Sequence, residues 1–425
     1  MSLDERLRQG LEGLDALEVA PPEGVVAAVL GHGRRSRWTR RIVAGALALV
    51  AAMAAVVVAP KALDALRSAG ERRPAVPSGG MGTIATVAGT GAAGLWGDGG
   101  RATASQMNYP VDLAFDGDGN LYILELGHED RGFGVRVRKV DRAGRITTVA
   151  GPGGPGAAGD LILGRTFGST GLAVDDVGNI YIGGGDGPDV LNRVIRVEPS
   201  GQVTTVAGTG EPGSSGDGGP ATAAQVQDVW DVAVDRTGTL YIAGNNRIRK
   251  VDTNGVITTI VGGARKGFSG DNGPATEAQI NRVTGMAVDD PGNVYFIDYR
   301  NGRIRRIDTD GIITTIGGPG RKGRSECFFG EGVPARQAMF CGPEHLTVDA
   351  EGNLFIADTY NNRIRMIDTN GVIHTIAGSG DHAYSGDGGP ALDAALAEPS
   401  GVAVGPDGAV YIADSGNDRV RRVVL

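Results

Sequence analysis

Cysteine is nearly absent from this chain: Cys327 and Cys341 are the only two in 425 residues. No second ligand pair of the CxxC kind accompanies them, which excludes the common structural zinc sites. An excess of positive charge is also missing. Residues 1–79 carry 11 Lys/Arg against 8 Asp/Glu, a balance of +3, while the remainder carries 30 against 41, a balance of −11. So acidic a region is ill suited to nucleic acid, whose binding rests on neutralising phosphates, and no nucleic-acid partner is expected. The 72 glycines show no G-X-Y period, which excludes collagen and leaves frequent turns as their use. The hydrophobic fraction of 41% is enough to bury a large core.

What is present is a repeat. Residues 342–378 read GPEHLTVDAEGNLFIADTYNNRIRMIDTNGVIHTIAG, four short apolar runs separated by Gly, Asn and Asp clusters. That pattern predicts four antiparallel strands joined by tight turns. It recurs, in whole or part, with the turn after the first strand at Asp116, Asp175, Asp235, Asp289, Asp349 and Gly405. The spacing, about 54 to 60 residues, is in the range of propeller and solenoid repeats. The second strand carries an aromatic at an equivalent position (Tyr122, Tyr181, Tyr241, Tyr295, Phe355, Tyr411), and the third alternates charge with aliphatics, as in RIRKV (247–251). An orphan fourth strand, TIATVAG at 83–89, precedes the first full unit, and the chain stops at Leu425 after a third strand. Pairing the two removes two open sheet edges, so six four-stranded blades are expected, the last closed by the N-terminal strand.

The pattern P-x-G-V-A-V…G-N-x-Y-I-A-D…N-N-R-I-R…I-T-T-I-A-G resembles the NHL repeat, named for a family of β-propellers, over roughly residues 82–425. The resemblance implies an all-β, six-bladed propeller. Fold alone does not choose an activity.

Ahead of the repeats, Leu3, Leu7, Leu11, Leu14 and Leu17 fall on one face of a predicted helix. Ile42–Ala59 then runs 18 residues without a charge, roughly 27 Å as a helix and enough to span a bilayer. The 41 residues before it disfavour a cleaved signal peptide. Arginines at 34, 35, 37, 40 and 41 place the N-terminus in the cytoplasm and the repeats outside. The expected organisation is a cytoplasmic helical tail (1–41), a transmembrane helix (42–59), a linker (60–81) and the propeller (82–425). The anchored arrangement resembles the extracytoplasmic propellers of bacterial membrane serine/threonine kinases, but a 41-residue tail has no room for a kinase. In an extracytoplasmic propeller, Cys327 and Cys341 are expected to form a disulfide.

The connections from strand two to three and from strand four to one emerge on one face. They are the long ones: 125–136, 184–193 and 318–341. Variable loops on a rigid scaffold are where binding residues collect. Aligning the entries to strand one places Val111, Thr170, Trp230, Thr284, Glu344 and Ser400 at one ring position, with Asp112, Gly171, Asp231, Gly285, His345 and Gly401 at the next. Two residues before the first set stand Tyr109, Gly168, Asp228, Arg282, Gly342 and Glu398. Repeats that only had to fold would tend to Gly or Ser here. The candidate binding residues at the channel mouth are therefore Tyr109, Asp112, Asp228, Trp230, Asp231, Arg282, Glu344, His345 and Glu398, suited to a polar or cationic ligand.

The expected function is non-catalytic binding of a protein, a peptide or an envelope glycan, with no cofactor and no metal. The alternative is a metal-dependent hydrolase or lyase. Zinc lyases of the NHL class need several inward histidines, and only His345 stands at a mouth position. Lactonase-like calcium enzymes need oxygens down the channel, for which Asn108, Asp112, Asp231, Asn281 and Glu344 are the candidates. The GDGGPA loops (216–221, 386–391, with variants at 97–102 and 270–275) have one Asp each, too few for calcium, and read as turns bonding their own backbone. Asp298, Asp358 and Asp414 are expected to pair with Arg303, Arg363 and Arg419 five residues on.

Overall fold

The computed structural model describes residues 82–126, 135–154, 171–184, 192–244, 246–263, 265–320 and 330–425. The expected tail, membrane span and linker (1–41, 42–59, 60–81), Cys327 and most of the three long loops lie outside the described residues. Among the described residues no helix is long and apolar enough to cross a membrane.

The repeats form six antiparallel sheets, each with its strands in sequential order, and Ile84–Ala88 pairs with Arg419–Val423 as the outermost strand of the sixth. The register runs from Ile84 opposite Val423 to Ala88 opposite Val420, with a bulge between Thr86 and Ala88. Ring closure by the N-terminal strand is thus as the repeat count requires. Core clusters lie between successive blades; one joins Ile84 and Val423 of the sixth to Phe355 and Ile364 of the fifth.

Two recurrent devices explain why the same residues return in each blade. In the turn after strand one, Asp116, Asp175, Asp235 and Asp289 each accept a backbone N–H four residues on. Their second oxygens accept the hydroxyls of Tyr122, Tyr181, Tyr241 and Tyr295 at 3.0–3.3 Å. The aromatic of strand two therefore packs the core and ties down the turn. Phe355 lacks the hydroxyl, yet Asp349 still holds Asn353 N–H.

The second device corrects the reading of the GDGGPA loops. Their acids leave their own turn and reach a buried arginine of strand three in the blade the loop is about to enter. The pairs are Asp98–Arg138 (2.5 Å), Asp217–Arg249 (2.5 Å), Asp271–Arg305 (2.8 Å) and Asp387–Arg421 (2.7 Å), with Glu331–Arg365 (3.6 Å) in blade five. The acid also accepts a strand-four N–H beside its bulge, as from Thr148, Thr86 and Thr375. Each such loop runs along the next blade's outer strand before diving to the channel. In blades four and five it adds a two-residue fifth strand, Gly273–Pro274 on Ile312–Ile313 and Val333–Pro334 on Val372–Ile373. Exposed edges invite pairing with other chains, and these loops cover them. Blade two has Ile195 at the arginine position, and the connection leading into it (152–171) lacks the motif, so both partners are missing together.

The expected ion pairs across strands two and three also shift. Asp298 and Asp414 stand opposite Arg303 and Arg419 in the ladder, but it is the arginines two residues on that approach the acids: Arg305 (3.6 Å), Arg365 on Asp358 (3.8 Å) and Arg421 (3.3 Å). Side chains alternate faces along a strand, so Arg305 shares the buried side with the loop acid, while Arg303 donates to the Asn301 and Pro319 carbonyls. In blade one Glu125 takes the acid's place, 2.8 Å from Arg136 and 3.6 Å from Arg138.

Breaking a buried pair strands a charge, whereas an exposed pair contributes little. Arg421→Met, which strips Asp387 and Asp414 of their cation, is expected to lower unfolding free energy by about 3–5 kcal/mol. Arg422→Met, which breaks the half-exposed Arg422–Asp407 pair, is expected to cost less than about 1 kcal/mol. Urea unfolding of both variants checks this, and equal losses would refute the clamp.

Candidate functional site at the channel mouth

Strand one of each blade lines the channel, and its entry residue makes a sharp turn. Tyr109 (φ 53°), Asp228 (φ 49°), Arg282 (φ 61°) and Glu398 (φ 46°) all sit in the left-handed region, as does Gly342 (φ 57°) at the same position of blade five. Glycine adopts this conformation without penalty, while other residues are held there at a cost of about 1 kcal/mol or more. Caps from the preceding blade hold three of them: Tyr109 N–H donates to Asp418, Arg282 N–H to Asn246 and Glu398 N–H to Asn362, at 2.8–3.0 Å.

The turn aims side chains into a cavity of about 220 Å³ at the channel mouth. Of the nine residues singled out from the sequence, Tyr109, Asp112, Trp230, Asp231, Arg282, Glu344 and His345 line it, joined by Val111, Thr284 and Ser400 of the aligned ring position. Asp228 and Glu398 do not. Glu398 stands behind Tyr109 and accepts its hydroxyl at 3.1 Å. Arg282 lies over the Trp230 ring at 4.0 Å and over Tyr299 at 5.3 Å, a cation–π sandwich. Tyr299, missed in the sequence, directly follows Asp298 in the turn between strands two and three, a position the alignment of strand-one entries did not cover. Gly168 and Thr170 lie outside the described residues.

Deeper in, chemistry alternates with glycine around the ring. Asp112, Asp231 and His345 come from blades one, three and five; Gly171, Gly285 and Gly401 occupy the position in blades two, four and six. A Cβ on Gly171 would overlap the Asp231 carboxylate, so the glycines make the approach possible. Each polar residue reaches the next blade's backbone. Asp112 accepts Leu113 and Leu172 N–H (2.7 and 2.8 Å), and Asp231 accepts Val232 and Met286 N–H (2.8 and 2.5 Å). His345 Nδ1 lies 3.2 Å from the Val402 carbonyl and Nε2 3.2 Å from Asp112 Oδ1. One ligating atom from each of Asp112, Asp231 and His345 lies within 4.8 Å of the others. The calcium-type oxygen set is not assembled, because Asn108 and Asn281 do not line the cavity.

Burial pushes the Asp112 carboxyl up, and burial together with the charge of Asp112 pushes Asp231 well up. Glu344 faces the cavity but is walled off from bulk water. Burial, then the nearby Glu398, raise it to about 7, with Arg282 opposing. A carboxyl raised on folding opposes the folded state above its folded value and is relieved as pH falls toward its ordinary range. Stability is therefore expected to rise between pH 8 and pH 5. Glu344→Gln should remove that rise and gain about 1–2 kcal/mol at pH 8, reduced from the full shift by solvent on the open side. Urea unfolding at pH 5, 7 and 8 checks it; an unchanged pH profile in the variant would refute it.

A family model described as "Teneurin NHL domain" matches residues 209–269, 264–326, 322–383 and 381–424. The chain is similar to Teneurin-1 of Homo sapiens, 33% identical over 250 residues, covering 51% of this chain and 9% of that protein. It is also similar to Teneurin-3 of Danio rerio, 28% identical over 355 residues, covering 76% and 12%. It thus spans about a tenth of the length of these curated relatives. Among solved structures, a structural genomics protein of unknown function from Bacteroides thetaiotaomicron VPI-5482 superposes with a TM-score of 0.57 at 20% identity, covering 81% of this chain and 76% of that one, a likeness of fold alone. The matched repeats make up half of the sequence: the chain belongs to the teneurin NHL domain family.

Proposed function

We propose that this chain is a membrane-tethered, extracytoplasmic propeller that binds a protein or peptide ligand at its channel mouth, on the face of its long loops, without catalysis. The observation that carries the reading is the ring of strained entries. Tyr109, Arg282 and Glu398 occupy left-handed backbone where glycine, present in blade five, would fold at no penalty. Strain held at a mouth, with large polar side chains as its product, is a mark of function. The stacked Trp230 and Arg282 are residue types that anchor protein interfaces, and membership in the teneurin NHL family supports a protein partner over an envelope glycan.

Tethering is supported by the uncharged run 42–59 and the arginines before it. A Cys327–Cys341 disulfide in the loop 318–341 accords with an extracytoplasmic propeller and with the lack of a free cysteine among the described residues. A metal-dependent propeller hydrolase is the second reading, favoured by the convergence of Asp112, Asp231 and His345.

Tyr109→Gly and Glu398→Gly in the full chain are expected to leave unfolding free energy within about 1 kcal/mol of the parent, since relieved strain offsets lost contacts. The same variants should reduce capture of a partner from envelope extracts at least tenfold. Undiminished capture would reject the mouth as the binding site, and recovery of glycan alone would reject a protein ligand. For topology, the chain should stay with membranes after carbonate extraction, and protease added outside should digest the propeller. A protected propeller would reverse the orientation.

A further inference from the structure

Asp231 differs from the other buried acids of the propeller in what surrounds it. Glu125, Asp298, Asp358 and Asp414 each stand within 4 Å of an arginine. Asp231, about 1% exposed, has two backbone N–H donors and no arginine or lysine in ion-pair range among the described residues. Asp112, 2% exposed, has only His345. Buried charges are paired or bind metals, so two adjacent carboxylates call for a positive centre.

The imidazole of His345 points to where that centre sits. A carbonyl only accepts, so the Nδ1 that faces Val402 O carries a proton. In the neutral ring the Nε2 lone pair then faces Asp112 Oδ1 at 3.2 Å, two electron-rich atoms in contact. Something positive belongs between them. Two ligands bound to one ion at about 2.1 Å stand roughly 3.0–3.4 Å apart, which matches that gap. A histidine held through its far nitrogen by a carbonyl is also the usual arrangement of a metal-bound imidazole. The backbone donors on Asp112 and Asp231 orient the carboxylates without using all their lone pairs, and the cavity leaves room for water to complete the coordination sphere.

We propose that Asp112 and Asp231, with Nε2 of His345, hold one first-row divalent cation at the base of the channel mouth, bridging blades one, three and five. The mixed nitrogen and oxygen set suits Mn²⁺, Fe²⁺, Co²⁺ or Zn²⁺ better than Ca²⁺, which prefers all-oxygen shells. The site does not depend on the ligand-binding reading: a cation here would brace the ring whether the mouth binds or hydrolyses.

The test is titration of the EDTA-dialysed full chain, in detergent, with Co²⁺ and then Zn²⁺. One equivalent of Co²⁺ should bind with visible d–d absorption, and Zn²⁺ should displace it. His345→Gln and Asp231→Asn should each weaken Co²⁺ binding at least tenfold, while His374→Gln, which alters the separate His374–Asp368 pair, should leave it unchanged. His345→Gln retains side-chain size and hydrogen-bonding capacity, so it guards against a folding failure in Asp231→Asn; circular dichroism reports on both. Absence of saturable binding, or equal binding in parent and His345→Gln, overturns the cation. The centre between Nε2 and Asp112 is then a proton.

Discussion

Arg421 is where the two ends of the propeller are locked together. Its guanidinium is fully buried, 2.7 Å from Asp387 in the loop that enters blade six and 3.3 Å from Asp414 of strand two. Asp387 in turn accepts the backbone N–H of Thr86, in the strand supplied by the N-terminal end of the repeats. One carboxylate therefore joins the last strand of the sequence to the first strand of the repeats. Without closure, blade six would present an open edge at Arg419–Val423. The buried pair contributes more to specificity than to net stability, because desolvation offsets much of its attraction. It accepts only a strand whose bulge offers an N–H at the right place.

The same clamp in four other blades makes the ring a chain of identical joints, and that regularity gives the mouth its precision. The entry to strand one is capped by the turn of the preceding blade, so a residue at that position projects toward the axis whatever its identity. Selection can then vary side chains without altering the frame. Alternate blades use this freedom differently: Gly171, Gly285 and Gly401 permit close approach, and Asp112, Asp231 and His345 fill the space between. Three polar groups thereby meet from positions well over a hundred residues apart in sequence.

Much of this was legible beforehand. Six units of four strands, the pairing of 83–89 with the end of the chain and the grouping of most mouth residues all follow from a repeat that aligns with itself, because equivalent residues in a propeller are related by rotation about one axis. Seven of the nine mouth candidates line a single cavity for that reason. Asp228 and Glu398 fell outside it because shared register says nothing about the direction a side chain takes after a left-handed turn. The GDGGPA acids were misread as local because their partners, such as Arg138 for Asp98, lie 40 residues on, across a blade boundary. The choice of Arg305 over Arg303 for Asp298 likewise turns on which face of the strand is buried.

The sequence by itself determined the period, the strand order, the closure and the circle on which the polar residues stand, since each follows from residue spacing along one chain. Only the tertiary structure decided which arginine meets which acid, which entries are strained and that Asp112, Asp231 and His345 share one point near the axis. Those outcomes depend on distances between blades and on side-chain direction, and a linear pattern carries neither.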